Sequence, residues 1–99
     1  MVRKVTKYEN ILPLLQAAVE AGATIFTPHA QEEMNEDDLF IFDLEQCVLN
    51  GTIVERQWDD TYGEWKYLVE GESTDGDGVI VVVKLDQKGQ LVFITTYRL

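Results

Sequence analysis

The sequence predicts an α+β domain, with N-terminal helices packed on one face of a four-stranded antiparallel β-meander. Three observations carry that prediction. As far as Asn50, apolar residues recur at three- and four-residue steps, the spacing of amphipathic helices. After Gly51 the period falls to two, and β-branched and aromatic residues take over. The stretches between these later runs are too short for crossover helices, so successive strands must pair antiparallel.

The first helix is read from Asn10 to Gly22, with Leu12, Leu15, Val19 and Ala18 as its apolar stripe. Asn10 serves as N-cap, Pro13 then falls in the tolerated first turn, and Gly22 supplies a left-handed stop. Thr6 to Glu9 spells a capping box, but a start there would place Pro13 inside the helix. A short extended piece, Thr24-Ile25-Phe26, leads to Thr27-Pro28, a cap followed by proline at the first helical position. That second helix should run to about Asn35. A third is expected to begin after Glu36-Asp37-Asp38, whose charge suits a helix N-terminus, and to stop near Asn50-Gly51. Leu39 to Phe42 has strand propensity, but the acidic cap and the spacing of Leu44, Cys47 and Val48 favour helix.

Four strands follow: Ile53 to Trp58, Glu64 to Gly71, Val79 to Leu85, and Leu91 to Arg98. The turns between them are rich in Asp, Gly, Ser and Thr. Pairing each hairpin about its turn puts residues of equal parity on one face. The odd set, including Trp65, Tyr67, Val69, Val81, Val83 and Phe93, is the more apolar and should receive the helices. The even set carries Arg56, Lys66, Lys84 and Arg98, which makes Arg56, Lys66 and Lys84 candidate anion-binding residues on the open face. The same face shows Val54, Leu68, Ile80, Val82, Val92 and Ile94, an apolar strip that predicts a homo-oligomer or a protein partner.

The chain has 99 residues, 45% hydrophobic and 26% charged, and is read as one domain. It has eight Lys and Arg against eighteen Asp and Glu, for a formal charge of -10. No cation stands between Lys7 and Arg56, whereas ten acids do. The field of such a segment favours basic partners and disfavours RNA, DNA and anionic membranes. A single cysteine, Cys47, excludes an internal disulfide and a cysteine-based zinc site. With no signal segment or membrane-length apolar run, a cytoplasmic protein is expected.

His29, the only histidine, lies one residue into the second helix, where an imidazole can act as general acid or base. Tyr97 and Arg98 are candidates to assist a developing charge. A lone histidine near a helix start is more often structural, and with Glu32 and Glu33 it makes only a thin metal site. Asp75-Gly76-Asp77-Gly78 lacks the remaining spacing of a calcium loop and reads as a turn. Cys47 reads as core packing, and Trp58, Tyr62 and Trp65 as caps on the core edge. No phosphate loop, nucleophile elbow or dinucleotide fingerprint occurs, and neither cofactor nor metal is expected.

A resemblance adds to this reading. It is carried by Phe26-Thr27-Pro28-His29-Ala30, Met34, Asp43-Leu44, Leu49-Asn50-Gly51, Ile53-Val54-Glu55, Tyr67 to Glu72, Asp75-Gly76, Val81-Val82-Val83 and Ile94-Thr95-Thr96-Tyr97-Arg98. In that order and spacing they resemble a bacterial domain-of-unknown-function family, itself distantly similar to the RelE/BrnT group of toxin ribonucleases. The likeness spans residues 24–98 and leaves residues 1–23 as a variable addition. It implies a helix-plus-antiparallel-sheet fold and metal-independent RNA cleavage on the open sheet face, with His29, Tyr97 and Arg98 as the matching residues. Glu33 and Asp37 stand where that family usually has arginines, and Val79-Ile80 replaces a frequent histidine. Stabilising a phosphorane transition state needs nearby cations. The sequence therefore points to a non-catalytic member acting by self-association or protein binding, with a toxin-like endoribonuclease using His29 and Arg98 as the alternative.

Overall fold

The computed structural model describes residues 10–99, so the Thr6–Glu9 capping box lies outside the described residues. Among the described residues three helices precede most of the sheet: α1 (Leu12–Glu20), α2 (Pro28–Glu36) and α3 (Ile41–Asn50). The strands are β1 (Thr24–Phe26), β2 (Thr52–Asp59), β3 (Glu64–Glu72), β4 (Gly78–Leu85) and β5 (Leu91–Arg98). In space they run β1-β5-β4-β3-β2. The class is α+β, as the sequence indicates, and β2 to β5 form the expected meander.

Among the described residues the sheet nonetheless has five strands and is mixed, not four and antiparallel. Thr24-Ile25-Phe26 adds to the β5 edge in parallel, with Phe26 opposite Phe93. Three residues are too few to display a period of two, and the partner strand lies more than sixty residues away in the chain. The pairing also stacks the Phe26 and Phe93 rings, 4.6 Å between centroids and 9° from parallel.

All three helices bury their apolar stripes against one sheet face. Leu15, Ala18 and Val19 come from α1, Ala30 and Met34 from α2, and Leu44, Cys47 and Val48 from α3. They meet Val69, Val79, Val81, Val83, Leu91 and Phe93. α1 starts one turn-position later than expected: Ile11 occupies the cap and makes no side-chain bond there. Gly22 does end it, at φ 70°, with Gly22 N–H bonding Val19 and Ala23 N–H bonding Ala18. Gln16 then ties α1 to α3 by donating to the carbonyls of Val48 and Leu49.

The acidic cluster does not cap α3. Asp37 is instead the C-cap of α2, and Asp38 takes the left-handed turn beyond it, at φ 51°. Leu39, buried, closes this stop by bonding the Met34 carbonyl at 2.8 Å. α3 begins at Ile41, and the capping carboxylate belongs to Asp43, which accepts the Phe40 N–H at 2.8 Å. A buried leucine after the acids decides the outcome, since Leu39 can reach the core only if the chain turns at Asp38.

Two β-bulges revise the expected sheet faces. One, between Ile53 and Glu55, lets Arg56 pair with Tyr67 and Trp58 with Trp65. The other, opposite Val82 and Val83, lets Val81 pair with Thr96 and Val79 with Arg98. Beyond each bulge parity inverts, so Arg56 and Arg98 point to the helix side and Tyr97 to the open side. Thr96, turned inward and fully buried, donates its hydroxyl to the Ile80 carbonyl at 2.9 Å. The wet apolar strip is also smaller than predicted. Ile80, Val82 and Val92 are buried, Leu68 and Ile94 half-buried, and Val54 alone of the six exposed.

Candidate functional site

The start of α2 is held firmly. Thr27 Oγ1 accepts the Ala30 N–H and donates to the Ile94 carbonyl, each at 3.0 Å, which caps the helix and fastens it to β5. One residue on, His29 projects into solvent with 60% of its side chain exposed, its Nε2 3.9 Å from Glu33 Oε1. Tyr97, exposed on the open sheet face, pairs across the ladder with Ile80.

Arg98 is at the other end of α2. Its Nε donates to the Asp37 carbonyl at 2.7 Å, and a terminal nitrogen to the Asp38 carbonyl at 3.2 Å. The second terminal nitrogen pairs with Asp77 at 2.9 Å. The eight residues from His29 to Asp37 rise about 12 Å along the helix axis. His29, Tyr97 and Arg98 are therefore not brought into one cleft: one marks each end of α2, and the third lies across the sheet.

The three anion-binding candidates are likewise dispersed. Arg56 sits on the helix side, 3.7 Å above the Trp65 ring, which meets Trp58 edge-on at 5.0 Å. Lys66 and Lys84 share the open face, where Lys66 lies 3.7 Å from Asp59 and Lys84 is bonded to Glu64. Arg56 and Lys66 do not face each other across the first hairpin, because the bulge at Val54 puts Gln57 opposite Lys66. Trp58, Tyr62 and Trp65 all remain exposed, so they do not seal the core edge.

Cys47 is packed as expected, with its thiol on the Val69 and Val79 carbonyls. Burial pushes it up to about 12, out of the range of a nucleophile. Among the described residues, no three His, Cys, Asp or Glu side chains converge as a metal site, and no helix is long and apolar enough to cross a membrane.

The surface that sequence reasoning missed lies where α2 turns into α3. Phe40 is 71% exposed, Ile41 49% and Phe42 73%, three consecutive large apolar side chains facing water. Phe42 is turned outward because α3 faces inward through Leu44, Cys47 and Val48, whereas Ile41, three residues before Leu44, stays on the inner stripe at its open end. Phe42 sits about 200° around the axis from Leu44. Beside them a groove of about 370 Å³ is lined by Phe26, Gln31, Met34, Asn35 and Ile41. A second of about 380 Å³ shares Met34, Asn35 and Ile41 with it and adds Asp38, Phe40 and Phe42, making one continuous depression. A larger hollow, about 470 Å³, lies at the far end of α3 among Gly51, Gly71, Glu70 and Glu72, where two carboxylates stand without a histidine, cysteine or cation in the lining. The signal for the junction was the unbroken run Leu39-Phe40-Ile41-Phe42, of which an amphipathic helix can bury only part.

A family model described as a domain of unknown function (DUF4258) matches residues 26–98. Comparison with curated proteins and with solved structures finds no match.

Proposed function

The chain belongs to the family described as a domain of unknown function (DUF4258), and we propose that it is a non-catalytic interaction domain, acting by self-association or by binding another protein. The observation that carries this reading is the exposed run Phe40-Ile41-Phe42 beside an apolar groove. Large apolar side chains grouped in this way are what a protein leaves wet when another protein is to cover them.

The employment of the cations supports the same reading. A nuclease of the kind the sequence resembles must direct positive charge at a phosphorane. Here Arg98 caps α2, Lys66 and Lys84 pair with carboxylates, and Arg56 stacks on Trp65. His29 faces Glu33 and solvent.

Two measurements test the proposal. Purified protein incubated with RNA should leave it intact; cleavage that disappears in His29→Ala overturns the reading in favour of a toxin-like endoribonuclease. Light scattering over a wide concentration range separates the two modes of contact, a rising mass indicating self-association and a constant one a different partner.

A further inference from the structure

Building on the reading that this domain works by contact, we infer that the groove between α2 and the start of α3 seats a basic, amphipathic segment of another protein. An apolar side chain of that segment enters the groove, and its lysines or arginines meet carboxylates on the rim. Phe26, Met34 and Ile41 supply the apolar wall, and Phe40 and Phe42 stand at the mouth. Gln31 and Asn35 are the polar groups within it. This is the composition of a site that accepts one face of a helix.

Charge selects the occupant. Asp38 lines the groove, and Glu45 lies one turn after Ile41 on α3, on the same side of that helix. The chain holds no Lys or Arg from residue 8 to residue 55. Arg98, the cation at this end of α2, is committed to the Asp37 and Asp38 carbonyls and to Asp77.

A second copy of this chain would press two acidic rims together, which is unfavourable at contact distance. Nucleic acid and anionic lipid are repelled for the same reason. A neutral apolar partner would strip water from the carboxylates and return nothing for it. A basic segment satisfies both halves of the surface at once, and the acidic field also hastens its approach.

Fluorescence anisotropy with labelled synthetic peptides tests this on the full chain. The probes are an amphipathic leucine–lysine helix, a scramble of identical composition, and a leucine–glutamate counterpart. The amphipathic basic peptide should bind, and the other two should not. The Phe40→Ser/Phe42→Ser double variant, checked for intact folding by circular dichroism, should weaken binding about tenfold or more. Asp38→Asn/Glu45→Gln should weaken it several-fold and flatten its salt dependence. No binding of the basic peptide, or binding undiminished by the phenylalanine changes, overturns the inference. If the protein instead self-associates, and loses this with the phenylalanines, the contact reading stands and the basic partner falls. RNA cleavage by the same preparation would sink the contact reading itself.

Discussion

The Arg98 Nε donates to the Asp37 carbonyl at 2.7 Å, so the last strand of the sheet caps the C-terminus of α2. The backbone N–H of Arg98 also reaches the Asp37 carboxylate at 3.3 Å. A helix that ends on Glu36, Asp37 and Asp38 has its charge arranged against its own dipole. The guanidinium answers both problems, satisfying orphan carbonyls and placing a cation beside them.

Arg98→Ala should therefore destabilise the fold by about 1.5–3 kcal/mol, the range for hydrogen bonds to a charged group. In a domain of this size each kcal/mol lowers the melting temperature by about 4–8 °C. Arg98→Lys should restore little, since an ammonium cannot span two carbonyls and Asp77 together. Thermal unfolding followed by circular dichroism measures both; an unchanged melting temperature in Arg98→Ala refutes the capping role.

Asp43 fastens the start of α3 to the β3–β4 turn. Its carboxylate accepts the Phe40 N–H at 2.8 Å, the Thr74 N–H at 2.9 Å and the Thr74 hydroxyl at 2.7 Å. Burial pushes the group up, but these bonds, with attraction from Arg98, outweigh it and hold the carboxyl below its ordinary 3.8. The unfolded chain then binds a proton more readily than the folded one. The stabilisation is complete above pH 3.8 and is lost as pH falls through that value toward the lower folded one. Urea midpoints taken across this range should show wild type and Asp43→Asn converging as the solution is acidified. A gap that stays constant with pH would remove the carboxylate from the account.

Much of this architecture is legible in the sequence, and the misses have common causes. Thr27-Pro28 announces α2 because its cap and its proline act within one turn, and the alternating valines of β4 announce the core in the same way. Features set by distant partners left no local mark. β1 is a strand only because Leu91 to Phe93 lies beside it. The inward turn of Arg56 and Arg98 depends on bulges at Val54 and Ile94, neither of which carries a glycine to signal it. The site suffered most from this. An assignment of faces by parity gathered four cations that the folded chain distributes to opposite sides of the sheet.

Where α3 crosses β3, the backbones touch. A Cβ on Gly71 would lie 2.5 Å from the Cys47 carbonyl oxygen and 2.9 Å from the Cys47 Cα, both on backbone that cannot rotate away. Gly51 faces the same carbonyl from the other side. Gly71→Ala should therefore cost at least about 1–3 kcal/mol, as expected of an overpacked site. Gly76→Ala, with open space around it but a φ of 87°, should lose only the smaller amount due to backbone strain. Chemical denaturation of the two variants side by side checks the order; equal losses would mean that conformation, not close approach, decides at Gly71.

Asp38 carries a tension between stability and binding. Its φ of 51° is a left-handed conformation that glycine adopts freely, and its negative charge sits at the C-terminal end of the α2 dipole. Both effects oppose folding, and the conformational one amounts to roughly 1 kcal/mol. The same carboxylate lines the groove proposed to meet a basic segment. Asp38→Gly should thus raise the melting temperature by about 4–8 °C. The carbonyl that receives Arg98 is retained, so the cap survives the change. Affinity for the amphipathic leucine–lysine peptide should fall in the same variant, the opposite sign to its stability. A glycine variant that melts no higher would show that the turn is unstrained. One that melts higher yet binds as well would take Asp38 out of recognition, leaving Glu45 to meet the partner's charge.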